Sequence, residues 1–198
     1  MSDQFMLPGL EPPPKITDRL FFAVMPDEQA IARITQLTRQ LSRDHGLQGR
    51  PIDVSRLHIT LLFLGDHPGL SKTLLTAANQ AAAAIQQPVF ATRFNRVVSF
   101  AGSKDHRPLV LLGEEDHALP QLHKTLLTSV QKQGITLPRT SAFKPHLTLL
   151  YDGVGVPETE IEPIEWQVRE FVLLHSHIGR GGTYEVLGRW SLQGQCQA

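Results

Sequence analysis

The sequence predicts an α+β fold built twice: two lobes related by a pseudo-twofold axis, antiparallel sheets lining a central cleft, and helices outside. Two apolar strands carry nearly the same string, His58-Ile59-Thr60-Leu61-Leu62 and His146-Leu147-Thr148-Leu149-Leu150. The strings lie 88 residues apart, and the same offset relates Arg19 to Arg107, Gly46 to Gly134 and Gly65 to Gly153. Between these anchors strand falls on strand and helix on helix, with Arg56 falling on Lys144. The expected organisation is therefore a leader of residues 1–17 and one domain of residues 18–198, with the repeat spanning about 19–65 and 107–153.

The elements follow in order. Residues 19–25 form a buried-strand run closed by Pro26. Asp27 opens a helix with Ile31, Ile34, Thr38 and Leu41 at helical spacing, and His45-Gly46 ends it. Residues 54–64 make the first motif strand, stopped by Gly65. Ser71 caps a second helix with Leu74, Ala78, Ala81 and Ile85 on one stripe. Residues 89–101 and 109–112 are strands, and Leu119, Leu122, Leu126 and Val130 mark a third helix. Residues 145–152 carry the second motif. A long hairpin, 167–178 and 184–192 around the glycine turn at 179–182, closes the chain.

Composition narrows the function. Nineteen Lys and Arg balance nineteen Asp and Glu over 198 residues, so no net field gathers a long nucleic acid or an acidic membrane. A polyanionic ligand must be held by local groups, which favours a short nucleic-acid end. The one cysteine, Cys196, has no partner for a disulfide, and a cytoplasmic setting is expected. The leader carries Asp3, Glu11 and four prolines, unlike an export signal. No apolar run approaches the roughly 20 residues of a spanning helix. A monomer without a protein partner is the default expectation.

On a strand, residues i and i+2 share a face. Each motif thus presents an imidazole and a hydroxyl side by side. Strict alternation puts His58, Thr60, Leu62 and Leu64 on one face, and Leu57, Ile59, Leu61 and Phe63 against the helices. Displacement at phosphorus needs one group to take a proton from the nucleophile and another to give one to the leaving oxygen. Histidine, with an unperturbed pKa of about 6.5, suits both tasks. Threonine hydroxyls at the non-bridging oxygens stabilise the charge that builds there. A third string, His123-Lys124-Thr125, lies on a helix, where i and i+2 point apart, and is read as structural. The near symmetry of the repeat leaves open which histidine gives the proton and which takes it.

The paired motifs, with RLFFAVMPDE at the first strand, RLHITLLFLG and FKPHLTLLYD around the motifs and GRWSL near the end, resemble the 2H phosphoesterases. Within that group the chain is most similar to the RNA 2′,3′-cyclic phosphodiesterases, formerly called 2′-5′ RNA ligases. The resemblance implies hydrolysis of RNA 2′,3′-cyclic phosphate ends to 2′-phosphates with no cofactor and no metal. It implies His58 as proton donor, His146 as the base that activates water, and Thr60 and Thr148 as phosphate-binding hydroxyls. Many relatives follow the second motif with Ala-Arg, where this chain has Leu150-Tyr151.

Arg180 in the glycine turn is a candidate to replace that arginine, a solvated hairpin tip being the alternative. Phe143 either stacks on a base or packs in the core. Tyr184 is read as hairpin packing. His175 and His177 share one strand face at a metal-compatible spacing, but no third ligand pairs with them in sequence, and no metal site is expected. The other functions weighed are 2′-5′ ligation, a small cyclic-nucleotide phosphodiesterase, a non-catalytic module that binds RNA ends, and a metallohydrolase.

Overall fold

The computed structural model describes residues 15–113, 117–139 and 142–193, so most of the leader and Cys196 lie outside the described residues. In chain order the elements are β1 (Asp18–Val24), α1 (Glu28–His45), a 3-10 turn (Val54–Arg56), β2 (Ile59–His67), α2 (Lys72–Ala83), β3 (Phe90–Ser99) and β4 (Arg107–Gly113). There follow α3 (Ala118–Lys132), β5 (His146–Asp152), β6 (Thr159–Val168), β7 (Glu170–His177) and β8 (Glu185–Ser191). The strands form one antiparallel sheet in the order β6-β3-β4-β5-β2-β1-β7-β8. β2 and β5, which carry the two motifs, sit at its centre, flanked by β1 and β4.

The helices form where expected. Asp27 accepts the Ala30 amide hydrogen at 2.8 Å and starts α1, while Gly46 in the left-handed region (φ 64°) ends it. α1 buries Ala30, Ile34, Thr38 and Leu41; α3 buries Leu119, Leu122, Leu126 and Val130. These stripes join Leu20, Phe22 and Val24 of β1 and Ile59, Leu61 and Leu64 of β2 in one apolar core. The alternate β1 residues Phe21 and Ala23 point to the opposite face, where they cluster with Val172 and Leu174.

Two features join the halves of the sheet. α1 follows β1 yet packs on β5 and β6, and α3 follows β4 yet packs on β2 and β3. At the centre β2 and β5 share one register pair, Ile59 opposite Leu147, near the start of each strand. Beyond that pair the motif strands part, which opens a cleft between them on the face away from the helices.

The structure departs from the expected elements in two places. Residues 54–56 turn rather than extend, because the Asp53 side chain accepts the Ser55 amide (2.9 Å) and hydroxyl (2.6 Å). The extended run near the end begins at Thr159 and is broken at Arg169, giving β6 and β7. These two strands lie near opposite ends of the sheet order with one residue between them, so the sheet curves back on itself. The bridge between Pro88 and Gln193, with the Val89 amide donating to the Gln193 carbonyl at 2.8 Å, ties the ends together.

Candidate active site

Each motif strand carries a bulge at the same repeat position. The β1–β2 register passes from Phe22 opposite Leu62 to Ala23 opposite Thr60, leaving Leu61 as the extra residue. The β4–β5 register passes from Leu109 opposite Leu150 to Val110 opposite Thr148, leaving Leu149. A bulge re-aims the residues that follow it. Leu62 and Leu64 are therefore buried, and Phe63 lines the cleft, the reverse of the strict alternation expected from sequence. In the second copy Leu149 and Leu150 are buried and Tyr151 takes the place of Phe63.

Both bulge carbonyls have a partner from elsewhere in the chain. His123 Nδ1 on α3 donates to the Leu61 carbonyl at 2.7 Å, and the Ile52 amide donates to the Leu149 carbonyl at 2.8 Å. The Ile52 loop is fixed by Asp152, whose carboxylate accepts the amides of Gln48 (2.7 Å), Gly49 (2.6 Å) and Val154 (2.8 Å). These amides, Val154 first and Gly49 next, hold the Asp152 carboxyl below the ordinary range. The loop passes so close that a Cβ on Gly49 would lie 2.0 Å from the Tyr151 carbonyl oxygen.

The cleft has a volume of about 400 Å³ and is lined by both histidines and both threonines of the motifs. Antiparallel pairing at Ile59 and Leu147 sets His58 beside Thr148 and Thr60 beside His146 across the junction. His58 Nδ1 lies 2.7 Å from the Arg56 carbonyl, and His146 Nδ1 lies 2.7 Å from the Lys144 carbonyl. A carbonyl oxygen only accepts, so each Nδ1 carries the hydrogen and each Nε2 is left for a ligand.

The surroundings of the two rings differ. Phe21 and Tyr184 pack on His58, at ring distances of 5.1 and 5.2 Å. Burial pushes the His58 imidazole below its usual pKa, against the opposing Arg56 carbonyl bond, and the charges of Arg56 and His146 lower it further. His146 meets the edge of Phe100 at 5.1 Å.

Arg56 and Tyr184 complete the site, and the sequence reading missed both. The Arg56 guanidinium lies over the Tyr184 ring at 4.9 Å and donates to its hydroxyl at 3.2 Å. Among the described residues Arg56 has no carboxylate partner, whereas Arg19, also on the cleft wall, is paired in fork geometry with Asp66 (2.8 and 2.9 Å). The signal for Arg56 was the repeat itself, a cation two residues before each motif histidine; the hairpin gave none for Tyr184.

The two weaker candidates lie elsewhere. Phe143 stacks flat on His123 at 4.1 Å, packs against the core and is absent from the cleft wall. Arg180 borders a separate recess with Asp18 and His177. Among the described residues no carboxylate or thiol lines the cleft, so these residues offer a metal only imidazole, hydroxyl and guanidinium groups.

Known proteins are similar to this chain in sequence and in fold. An RNA 2′,3′-cyclic phosphodiesterase of Escherichia coli is 31% identical over 179 residues, 88% of this chain and 96% of that protein. One of Thermus thermophilus is 28% identical over 185 residues, 89% and 91% of the two chains. The crystal structure of E. coli LigT in apo form superposes with a TM-score of 0.71 at 28% identity, covering 90% of this chain and 99% of that one. The family model for the 2′-5′ RNA ligase superfamily matches residues 25–180. The chain belongs to the 2′-5′ RNA ligase superfamily, the 2H phosphoesterase group.

Proposed function

We propose that this protein hydrolyses RNA 2′,3′-cyclic phosphate ends to 2′-phosphate ends, with two histidines as its acid–base pair and no metal in the chemical step. The observation that carries the proposal is the matched pair of imidazoles, each with Nδ1 held by the carbonyl two residues back, lining one cleft with the two motif threonines. The E. coli and T. thermophilus relatives bear the name of this activity, which supports the same reading here.

In this mechanism His146 Nε2 takes a proton from water as the water oxygen attacks phosphorus. The bond from phosphorus to the 3′ oxygen breaks, and His58 Nε2 gives its proton to that oxygen. One ester bond is exchanged for one hydroxyl, and the 2′ ester remains. Thr60 and Thr148 donate to the non-bridging oxygens, and Arg56, which among the described residues has no carboxylate partner, balances the phosphate charge. Burial beside Phe21 and Tyr184 makes the His58 imidazolium a stronger acid, as a donor to an alkoxide requires.

The test is to supply an oligonucleotide ending in a 2′,3′-cyclic phosphate, with EDTA present, and identify the product end. Ring opening to a 2′-phosphate is expected. An unopened ring or a 3′-phosphate overturns the proposal. Ligation to a 5′-hydroxyl strand is the same exchange run with an alcohol in place of water, and adding that strand to the assay measures it.

A further inference from the structure

The structure supplies the third ligand that the sequence lacked for His175 and His177. Asp18, 157 residues earlier, meets both: its Oδ1 lies 2.6 Å from His175 Nε2 and 3.3 Å from His177 Nδ1. All three ligand atoms lie within 4.8 Å of one another, on β1 and β7, outside the cleft lining. We propose that Asp18, His175 and His177 form a zinc site that clamps the base of the β7–β8 hairpin.

Four observations support it. Two imidazoles and one carboxylate suit zinc, and leave a fourth position for solvent. Glu185 Oε2 lies 3.1 Å from His175 Nδ1, the carboxylate–histidine contact that orients a metal-binding imidazole from behind. His175 is buried with a carboxylate at each ring nitrogen. With Nδ1 turned to Glu185, His175 presents Nε2 to Asp18, the arrangement in which a metal ion would take Nε2 and Oδ1 together. Finally, Thr17 donates to Asp18 Oδ2 at 2.6 Å, which fixes the carboxylate with Oδ1 turned toward the two histidines.

Zinc at about 2.0–2.1 Å from each ligand separates them by about 3.3 Å. The Asp18–His177 separation already matches, and the shorter Asp18–His175 contact opens when the metal replaces the shared proton. A recess of about 490 Å³ lined by Thr17, Asp18 and His177 gives access, and Lys15 and Arg180 on its wall favour an anionic fourth ligand. Glu185 directly follows Tyr184, the residue packed on His58, so the clamp would steady one wall of the cleft without entering the reaction.

The experiment uses the full chain without an affinity tag, carrying Cys196→Ala so that the thiol binds no metal. Zinc affinity is measured by competition with a chromophoric chelator, and cobalt replaces zinc to report coordination by its visible spectrum. One zinc per chain in the low micromolar range or tighter is expected, with a four- or five-coordinate cobalt band. His177→Ala, at a half-exposed position that leaves the fold intact, and Glu185→Gln should each weaken binding by about tenfold or more. Binding weaker than this range, a stoichiometry other than one, or unchanged affinity in His177→Ala overturns the site. Because the cleft is not touched, wild-type turnover in EDTA neither follows from this result nor decides it.

Discussion

The two halves of the cleft agree in orientation and differ in environment. Both imidazoles are held from Nδ1 by the carbonyl two residues back, at the same 2.7 Å, and both motif strands carry their bulge at the same repeat position. Around His58, however, Phe21 and Tyr184 close in and Arg56 stands near; around His146 there is the edge of Phe100, with the Lys144 ammonium 5.1 Å over that ring. Tyr184 and Phe100 come from segments outside the repeat, following β7 and β3. The repeated strings supply aim, and residues that differ between the halves, Phe21 within the repeat and Tyr184 and Phe100 outside it, supply the inequality that an acid–base pair needs.

Removing either imidazole breaks this pair and gives the largest effect. His58→Ala and His146→Ala should each lower turnover of a cyclic-phosphate end by about a hundred- to ten-thousand-fold. A p-nitrophenyl phosphodiester sharpens the contrast, because its leaving group departs without a proton. On that substrate the donor variant, His58→Ala, should recover much of its loss while His146→Ala stays impaired. Recovery by His146→Ala instead would exchange the two roles.

The flanking cations come next. A hydrogen bond to a charged group contributes about 1.5–3 kcal/mol, so Arg56→Ala should reduce kcat/KM by about ten- to a hundredfold. Lys144→Ala, at an exposed ammonium, should change it by about fivefold or less. Equal losses would mean that the phosphate sits midway between the halves.

The supports of the two bulges can be compared in the same way. His123→Ala leaves the Leu61 carbonyl without its partner and should lower stability by about 1–3 kcal/mol, read as a lower urea midpoint. The Leu149 carbonyl is held by a backbone amide and is insensitive to any side-chain change at Ile52.

The smallest effect is a shift in pH. Burial disfavours the charged His58 ring, so the bend in the profile of kcat/KM against pH at which this donor loses its proton should fall below 6.5. Tyr184→Ala uncovers the ring and should move that bend upward by under about one unit. The same depression means that the unfolded chain takes this proton first. Stability should therefore decline as pH falls from 6.5 toward the lowered folded value, less so in the variant.

Much of this was legible in the sequence because it depends on local pattern. Caps and apolar stripes placed the helices, and the doubled string placed His58, Thr60, His146 and Thr148 on paired strands. What escaped depends on partners distant in the chain. The bulges at Leu61 and Leu149 exist only in register with β1 and β4, so period-two alternation assigned Phe63 to the wrong face. β6 was missed because Glu160, Glu162 and Pro163 hide the clean alternation of Ile164, Trp166 and Val168. Asp18 was invisible as a partner of His175 and His177 until β1 and β7 paired.

The crossing of the helices has a consequence for the chain as a whole. A fragment ending before β4 would hold α1 with neither β5 nor β6 beneath it, and the remaining fragment would hold α3 without β2. Neither fragment thus carries the whole surface on which its own helix packs. The joint at Ile59 and Leu147, with a motif histidine beside it on each strand, needs both β2 and β5 in place. The cleft, lined from both β2 and β5, should therefore be lost with any partial unfolding that separates the two, and loss of activity should track loss of structure in a denaturant titration.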